Sequence, residues 1–157
     1  MEILLDTNIV VRYLSVGDPR HNDAIDVISI LTTLGHEVVY TPQVEVELCS
    51  FLSRPLSVNG FGYTSSEVEA FLNVLEQVFP IRIPDEFQIR SKFRSLRREL
   101  SAMGKRVHDV RHVAACCVLN IPAILTWNHR DFTDSEAKGH IQVFQPELVI
   151  TGTQSGL

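Results

Sequence analysis

The sequence predicts an α/β protein, with three layers (α/β/α) built around a central, mainly parallel sheet of about four to five strands. Three observations predict it. Short apolar runs (EILL at 2–5, EVVY at 37–40, AILT at 123–126, IQVF at 141–144) alternate with longer segments of helical periodicity. That order lays parallel strands between two layers of helices. Capping residues and helix stops fall at the junctions between the segments. And 157 residues make one domain, large enough to bury a core without metal or disulfide staples. The expected domain is 1–150, followed by a flexible tail, TGTQSGL, at 151–157.

Residues 2–5 read as a buried first strand. A helix follows over 7–14, and another over 20–34 that Gly35 stops. Residues 37–40 make the second strand. Thr41 then caps a helix with Pro42 at its first position, ending near Arg54 ahead of Pro55. Thr64 and Glu67 have the spacing of a capping box, opening a helix to about Val78. Ile81 to Ile83 reads as a short edge strand. Asp85 with Gln88 opens a long helix that stops near Gly104, and a further helix runs from Asp109 to Leu119, closed by Asn120 and Pro122. The runs at 123–126 and 141–144 complete the sheet. Gly60 and Gly62 mark a flexible turn rather than a phosphate-binding loop.

Hydrophobic content of 45% and charged content of 21% exclude a disordered or fibrous chain. No apolar stretch approaches the roughly 18 residues that span a bilayer, and MEILLDTN meets an acid too early for an export signal. Three cysteines, two of them adjacent in a helical pattern (Cys116, Cys117), suit buried thiols in a reducing compartment. A cytoplasmic protein is expected. The net charge of −5 argues against indiscriminate nucleic-acid binding. Its distribution is uneven: Arg90, Lys92, Arg94, Arg97, Arg98, Lys105 and Arg106 are interrupted only by Glu99. Such a run is either a solvated helix face or a stripe that tracks phosphates.

Acids gather behind the strands. Asp6-Thr7-Asn8 follows the first, Glu45 and Glu47 lie on the helix after the second, Asn128 and Asp131 follow the run at 123–126, and Asp109 opens the helix feeding that run. In a parallel sheet the carboxyl ends of the strands share one rim, and ligands bind there where strand order reverses. Carboxylates brought to one rim repel unless a cation lies between them. Oxygen-rich sites of this kind suit Mg²⁺ or Mn²⁺. Each acid also has a plainer reading. Asp6, Thr7 and Asn8 are good helix caps, and Asp109 suits the macrodipole of a first turn. Glu45 and Glu47 fall at opposite borders of the stripe Val44-Leu48-Phe51-Leu52, and periodicity does not choose between them. His108 and His112 have a zinc-like spacing of four, but no third nitrogen or sulfur ligand accompanies them. Arg111 and Arg130 either meet a phosphate or pair with neighbouring acids.

Four blocks, LLDTNIVVRYL, TPQVEVE, RPLSVNGFG and GKRVHDVRHVAACCVLNIPAILTWNHRDF, resemble, in order and spacing, the PIN domain, the ribonuclease domain of VapC-type toxins. The resemblance implies Asp6 as the first acid, Glu47 rather than Glu45 as the second, Asp109 as the third and Asp131 in the last acidic segment. These four would bind the metal, Mg²⁺ or its substitute Mn²⁺. The chain departs from the pattern at Asn128, where many members have an aspartate. An amide lends a neutral oxygen or holds a water but brings no charge. The resemblance further implies an endoribonuclease whose catalytic set is Asp6, Glu47, Asp109, Asp131 and Asn128, an RNA substrate, a small antitoxin partner and a homodimer. The rival reading is a PIN fold that binds RNA or a partner without cutting. A haloacid-dehalogenase-like phosphatase needs a second acid two residues after Asp6, and that position is Asn8.

Overall fold

The structure, a computed structural model, describes residues 1–157. The chain runs β1 (Glu2–Leu5), α1 (Thr7–Leu14), α2 (His21–Thr33), β2 (Glu37–Val39), α3 (Pro42–Ser53), α4 (Ser65–Val78), α5 (Glu86–Glu99), α6 (Arg106–Leu119), β3 (Ala123–Leu125), α7 (Thr133–Ala137), β4 (Gln142–Phe144) and α8 (Pro146–Ile150). The four strands form one parallel sheet in the order β2-β1-β3-β4, so the expected three-layer α/β/α architecture is borne out.

Alternation along β1 separates the two cores. Ile3 and Leu5 face a cluster with Val27, Leu31, Val44 and Leu48, from the helices α2 and α3. Leu4 faces the other way, into a cluster with Leu96, Val110, Val113 and Phe132 around α5 and α6. A strand with a period of two, apolar on both sides, must be covered on both sides. α6 is the most enclosed helix: Val110, His112, Val113, Ala114, Ala115 and Cys116 are all buried. It packs chiefly against α5 and sends Val110, Val113, Ala114 and Cys116 into the cluster around Leu4 and Ile124.

The capping box and the Asp85 cap hold as read, whereas Thr41 sits at the cap position of α3 but its side chain makes no capping hydrogen bond. Thr64 and Glu67 exchange both hydrogen bonds of the capping box, and the Asp85 carboxylate accepts from the Gln88 N–H at 2.8 Å. Other expectations shift. α6 begins at Arg106, one turn before Asp109. α5 ends at Glu99, because Ser101 takes a left-handed backbone (φ 49°) that breaks the helix ahead of Gly104. Ile81–Ile83 is not a strand but a single parallel bridge from Ile81 to Tyr40. Pro80 and Pro84 bracket it and remove ladder donors, while Arg82 turns out to pair with Glu2 and Glu37.

The turn at Gly60 is a fixed one: a Cβ there would collide with the Arg54 carbonyl, and the Gly62 N–H donates to that carbonyl at 2.8 Å. The tail is tied as far as Ser155. Gln154 is buried, accepting from the Gln145 N–H (2.9 Å) and donating to the Val143 carbonyl (3.3 Å), and Gln142 donates to the Ser155 carbonyl (2.7 Å). The segment thereby covers the free edge of β4.

Candidate metal centre

The connections out of β1 and β3 run to opposite sides of the sheet, so the strand order reverses between these neighbours and opens a crevice at their carboxyl ends. Asp6 and Thr126 are the first residues past the two strands. The Asp6 N–H donates to the Leu125 carbonyl at 3.1 Å, which holds both tips in register.

Asp6 occupies the cap position of α1, yet its side chain makes no capping hydrogen bond. Its carboxylate accepts instead from the Thr126 hydroxyl (2.6 Å) and the Asn8 amide (2.6 Å). Burial raises its pKa, partly offset by the charge of His112 and the Thr126 hydrogen bond, while Glu47 pushes it up further. Thr126 is fully used. It donates to Asp6 and accepts from Asn8 (2.9 Å) and from the Asn128 N–H (2.9 Å), the full capacity of a hydroxyl. It thus bolts the loop after β3 to the loop after β1.

Of the two glutamates on α3, Glu47 faces Asp6. Its carboxylate accepts from Thr7 (2.7 Å) and Gln43 (2.7 Å), and lies 3.2 Å from His112 Nε2. Burial alone would raise its pKa; the hydrogen bond and charge of His112, with the bonds from Gln43 and Thr7, outweigh that and bring it down to about 2. Glu45 lies at the other border of the helix, near Tyr40, whose hydroxyl pKa is pushed up by its own burial and then by the charge of Glu45.

His112 is the residue that sequence reasoning passed over. It is buried, and the hydrogen bond and charge of Glu47, with Asp6 and Asp109, raise its pKa against the effect of burial. Asp6, Glu47 and His112 each offer a ligand atom, all within 4.8 Å of one another. The available signal was the i, i+3 spacing from Asp109, which puts both residues on one face of α6. The pairing of His108 with His112 hid it. His108 is exposed and lies 3.7 Å from the opposite Glu47 oxygen, so the two imidazoles bracket a carboxylate and do not converge on a zinc ion.

Asp109 is half-buried and its carboxylate makes no hydrogen bond or ion pair. Burial raises its pKa to about 6, together with the charges of Asp131, Asp6 and Glu47 and against that of His112. Asp131, in a 3-10 turn over His129–Asp131, is exposed, and its N–H donates to the Asn128 carbonyl at 3.0 Å. The Asn128 side chain is exposed and uncommitted. Asp6 and Glu47 therefore meet directly, Asp109 and Asp131 flank them within reach of their charges, and Asn128 borders the group. The donor set fits a hard divalent cation: Asp6 and Glu47 offer converging carboxylate oxygens, and beside them burial and three carboxylates raise Asp109, only partly offset by the charge of His112. Arg111 pairs with Glu86 at 3.5 Å and not with these acids. On α5, Arg90, Arg94 and Arg98 line a surface groove of about 300 Å³ with the exposed ring of Phe87.

Comparison with known proteins agrees with this architecture. No curated protein matches the chain significantly. Among solved structures, the chain is similar to VapBC2 from Rickettsia felis bound to a DNA fragment from their promoter (15% identity, TM-score 0.68, covering 92% of this chain and 98% of that one). It is also similar to VapBC-1 from nontypeable Haemophilus influenzae (17%, TM-score 0.65, 94% and 99%) and to FitAcB from Neisseria gonorrhoeae (19%, TM-score 0.61, 94% and 99%). At these identities the likeness is one of fold. The model of the PIN domain matches residues 3–136, nearly the whole chain, and the protein belongs to the PIN domain family.

Proposed function

We propose that the chain is a divalent-metal-dependent endoribonuclease, the toxin of a toxin–antitoxin pair. The observation that carries this reading is Asp109: a carboxylate without a partner, raised to about 6 by burial and by Asp131, Asp6 and Glu47. Acids arranged at such a cost in mutual repulsion suit a site whose working state includes a cation. A bound Mg²⁺ or Mn²⁺ supplies charge neutralisation for in-line attack of water on a phosphodiester. Asp6, Glu47, Asp109 and Asp131 would hold it, directly or through water. Thr126, Asn8, Thr7 and Gln43 fix the carboxylate orientations by the hydrogen bonds they donate. Asn128 offers an uncharged donor and acceptor to the substrate at the rim.

The RNA strand approaches along the basic face of α5, whose groove continues toward Arg111, two residues from Asp109. The solved VapBC and FitAB structures of the same fold support a small antitoxin as partner. A homodimer and a cytoplasmic location belong to the same proposal; no helix is long and apolar enough to cross a membrane.

Asp6→Asn and Asp109→Asn each lower RNA cleavage by about 10²-fold or more while circular dichroism stays that of the parent, and EDTA does the same to the parent. Full activity in both variants, or in EDTA, contradicts the reading. Asn128 favours one rival, a chain that binds RNA without cutting it. Saturable RNA binding with no new 5′ ends, in Mg²⁺ and in Mn²⁺, would establish that rival.

A further inference from the structure

Trp127 follows Thr126 directly, and two arginines lean on its ring. The guanidinium carbon of Arg12 is 5.1 Å from the ring centroid and that of Arg20 is 5.4 Å away. Neither arginine forms an ion pair; the arginines of α5 share that, but only these two are held over an aromatic ring. Asp18, the nearest acid in sequence to Arg20, is turned to the Arg20 backbone N–H at 2.8 Å and not to its guanidinium. In a chain of net charge −5, two cations are held against one ring and left without a carboxylate. The ring restricts both side chains, so little freedom remains to be lost when an anion arrives.

The cluster is wired to Asp6. Arg12 donates through Nη1 to the Asn8 carbonyl at 2.8 Å, and its Nε is buried without a partner. The Asn8 side chain accepts from the Trp127 N–H (3.2 Å) and donates to Asp6 (2.6 Å). One asparagine thus touches the arginine-bearing turn, the tryptophan and the first acid. We propose that Arg12 and Arg20, braced on Trp127, form a phosphate subsite that grips the RNA backbone beside the scissile bond. The inference rests on the nuclease reading. An acidic centre repels the very anion it must process, and fixed guanidinium groups next to it offset that repulsion where bidentate phosphate contacts are needed. This subsite is on the β1–β3 crevice, apart from the basic face of α5.

The test uses the full chain carrying Asp109→Asn, so that RNA survives, with a single-stranded mixed-sequence oligoribonucleotide in Mg²⁺. Trp127 is the only tryptophan, so intrinsic emission reports this position alone. RNA is expected to change that emission. Arg12→Gln and Arg20→Gln, added singly, each weaken binding by about 3–10-fold near physiological salt and flatten the salt dependence by about 0.7 for each phosphate no longer neutralised. Arg82→Gln, on the opposite rim where it pairs with Glu2 and Glu37, changes neither. If Arg12→Gln fails to fold, the exposed Arg20 carries the test alone. Unchanged affinity and salt slope in the arginine variants overturn the subsite and leave those residues to an acidic protein partner, while cleavage by the parent chain keeps the nuclease reading intact. A parent that neither binds nor cuts RNA overturns both.

Discussion

At the residue scale, the acids and His112 make stability depend on pH in a way that plain caps would not. Asp109 is raised from 3.8 to about 6, so the stability it contributes is full below 3.8 and is lost as pH rises through about 6. His112 is raised above 6.5, and its contribution is likewise present at lower pH and lost on the alkaline side. Glu47 is lowered from 4.5 to about 2, so its contribution is present above 4.5 and fades as pH falls toward 2. Metal-free protein is therefore expected to be most stable at about pH 4, between the ordinary values of Asp109 and Glu47, and to lose stability as pH rises from there through about 6, the Asp109 share of that loss being about 1–2 kcal/mol after solvent screening. Urea midpoints in EDTA from pH 4 to 8 check this; a midpoint that rises steadily through pH 7 contradicts it. The same residues show what single positions reveal. Asp6 was legible because it sits behind a strand-like run, and Asp109 because it falls in the first turn of the helix that feeds one. Periodicity did not separate Glu47 from Glu45, since both border the apolar stripe of α3; the family resemblance chose Glu47, and the structure turns that residue toward Thr7 and His112. His112 was hidden by its own environment, because a buried imidazole in an apolar helix resembles core until its carboxylate neighbours arrive from other segments.

At the element scale, what could be read depended on length and on chemical punctuation. The helix at 65–78 was legible from Thr64 and Glu67, and that at 86–99 from Asp85 and Gln88, because each cap hydrogen bond is made by residues three apart. α7 and α8 span five residues each, too short to show a period of 3.6, although Pro146 at the first position of α8 was a usable signal. Ile81–Ile83 misled for the opposite reason: β-branched residues look like a strand, and the flanking prolines decide the outcome. The glycines at 60 and 62 looked like slack and are a clasp. Phe61 stacks edge-on with Phe51 at 5.5 Å, and the Tyr63 N–H donates to the Leu52 carbonyl at 3.0 Å. Gly60→Ala should accordingly destabilise the fold by about 1–3 kcal/mol through the backbone shift it forces, read as a lower urea midpoint. RNA cleavage per folded molecule should be unchanged, because the clasp lies at the C-terminal end of α3, more than a turn beyond Glu47. A variant as stable as the parent would mean the loop is as loose as its composition suggests.

At the scale of the whole molecule, topology does what no local motif does. The order β2-β1-β3-β4 brings Asp6 and Thr126, 120 positions apart in sequence, within one hydrogen bond. The parallel sheet and its loaded rim were foreseeable from alternation alone, but the crevice between β1 and β3 follows from strand order, which the sequence pattern leaves open. The paired acids, the imidazole held among them and the unpaired carboxylate of Asp109 make one physical claim together: the rim is completed by a divalent cation. Titration of the metal-free chain with Mn²⁺ in a calorimeter at pH 7 tests that claim most directly. Saturable binding, accompanied by proton release to the buffer as the charge of the cation drives protons off His112 and Asp109, and lost in both Asp6→Asn and Asp109→Asn, is the predicted result. No binding at millimolar Mn²⁺, or equal binding by the parent and both variants, would contradict it.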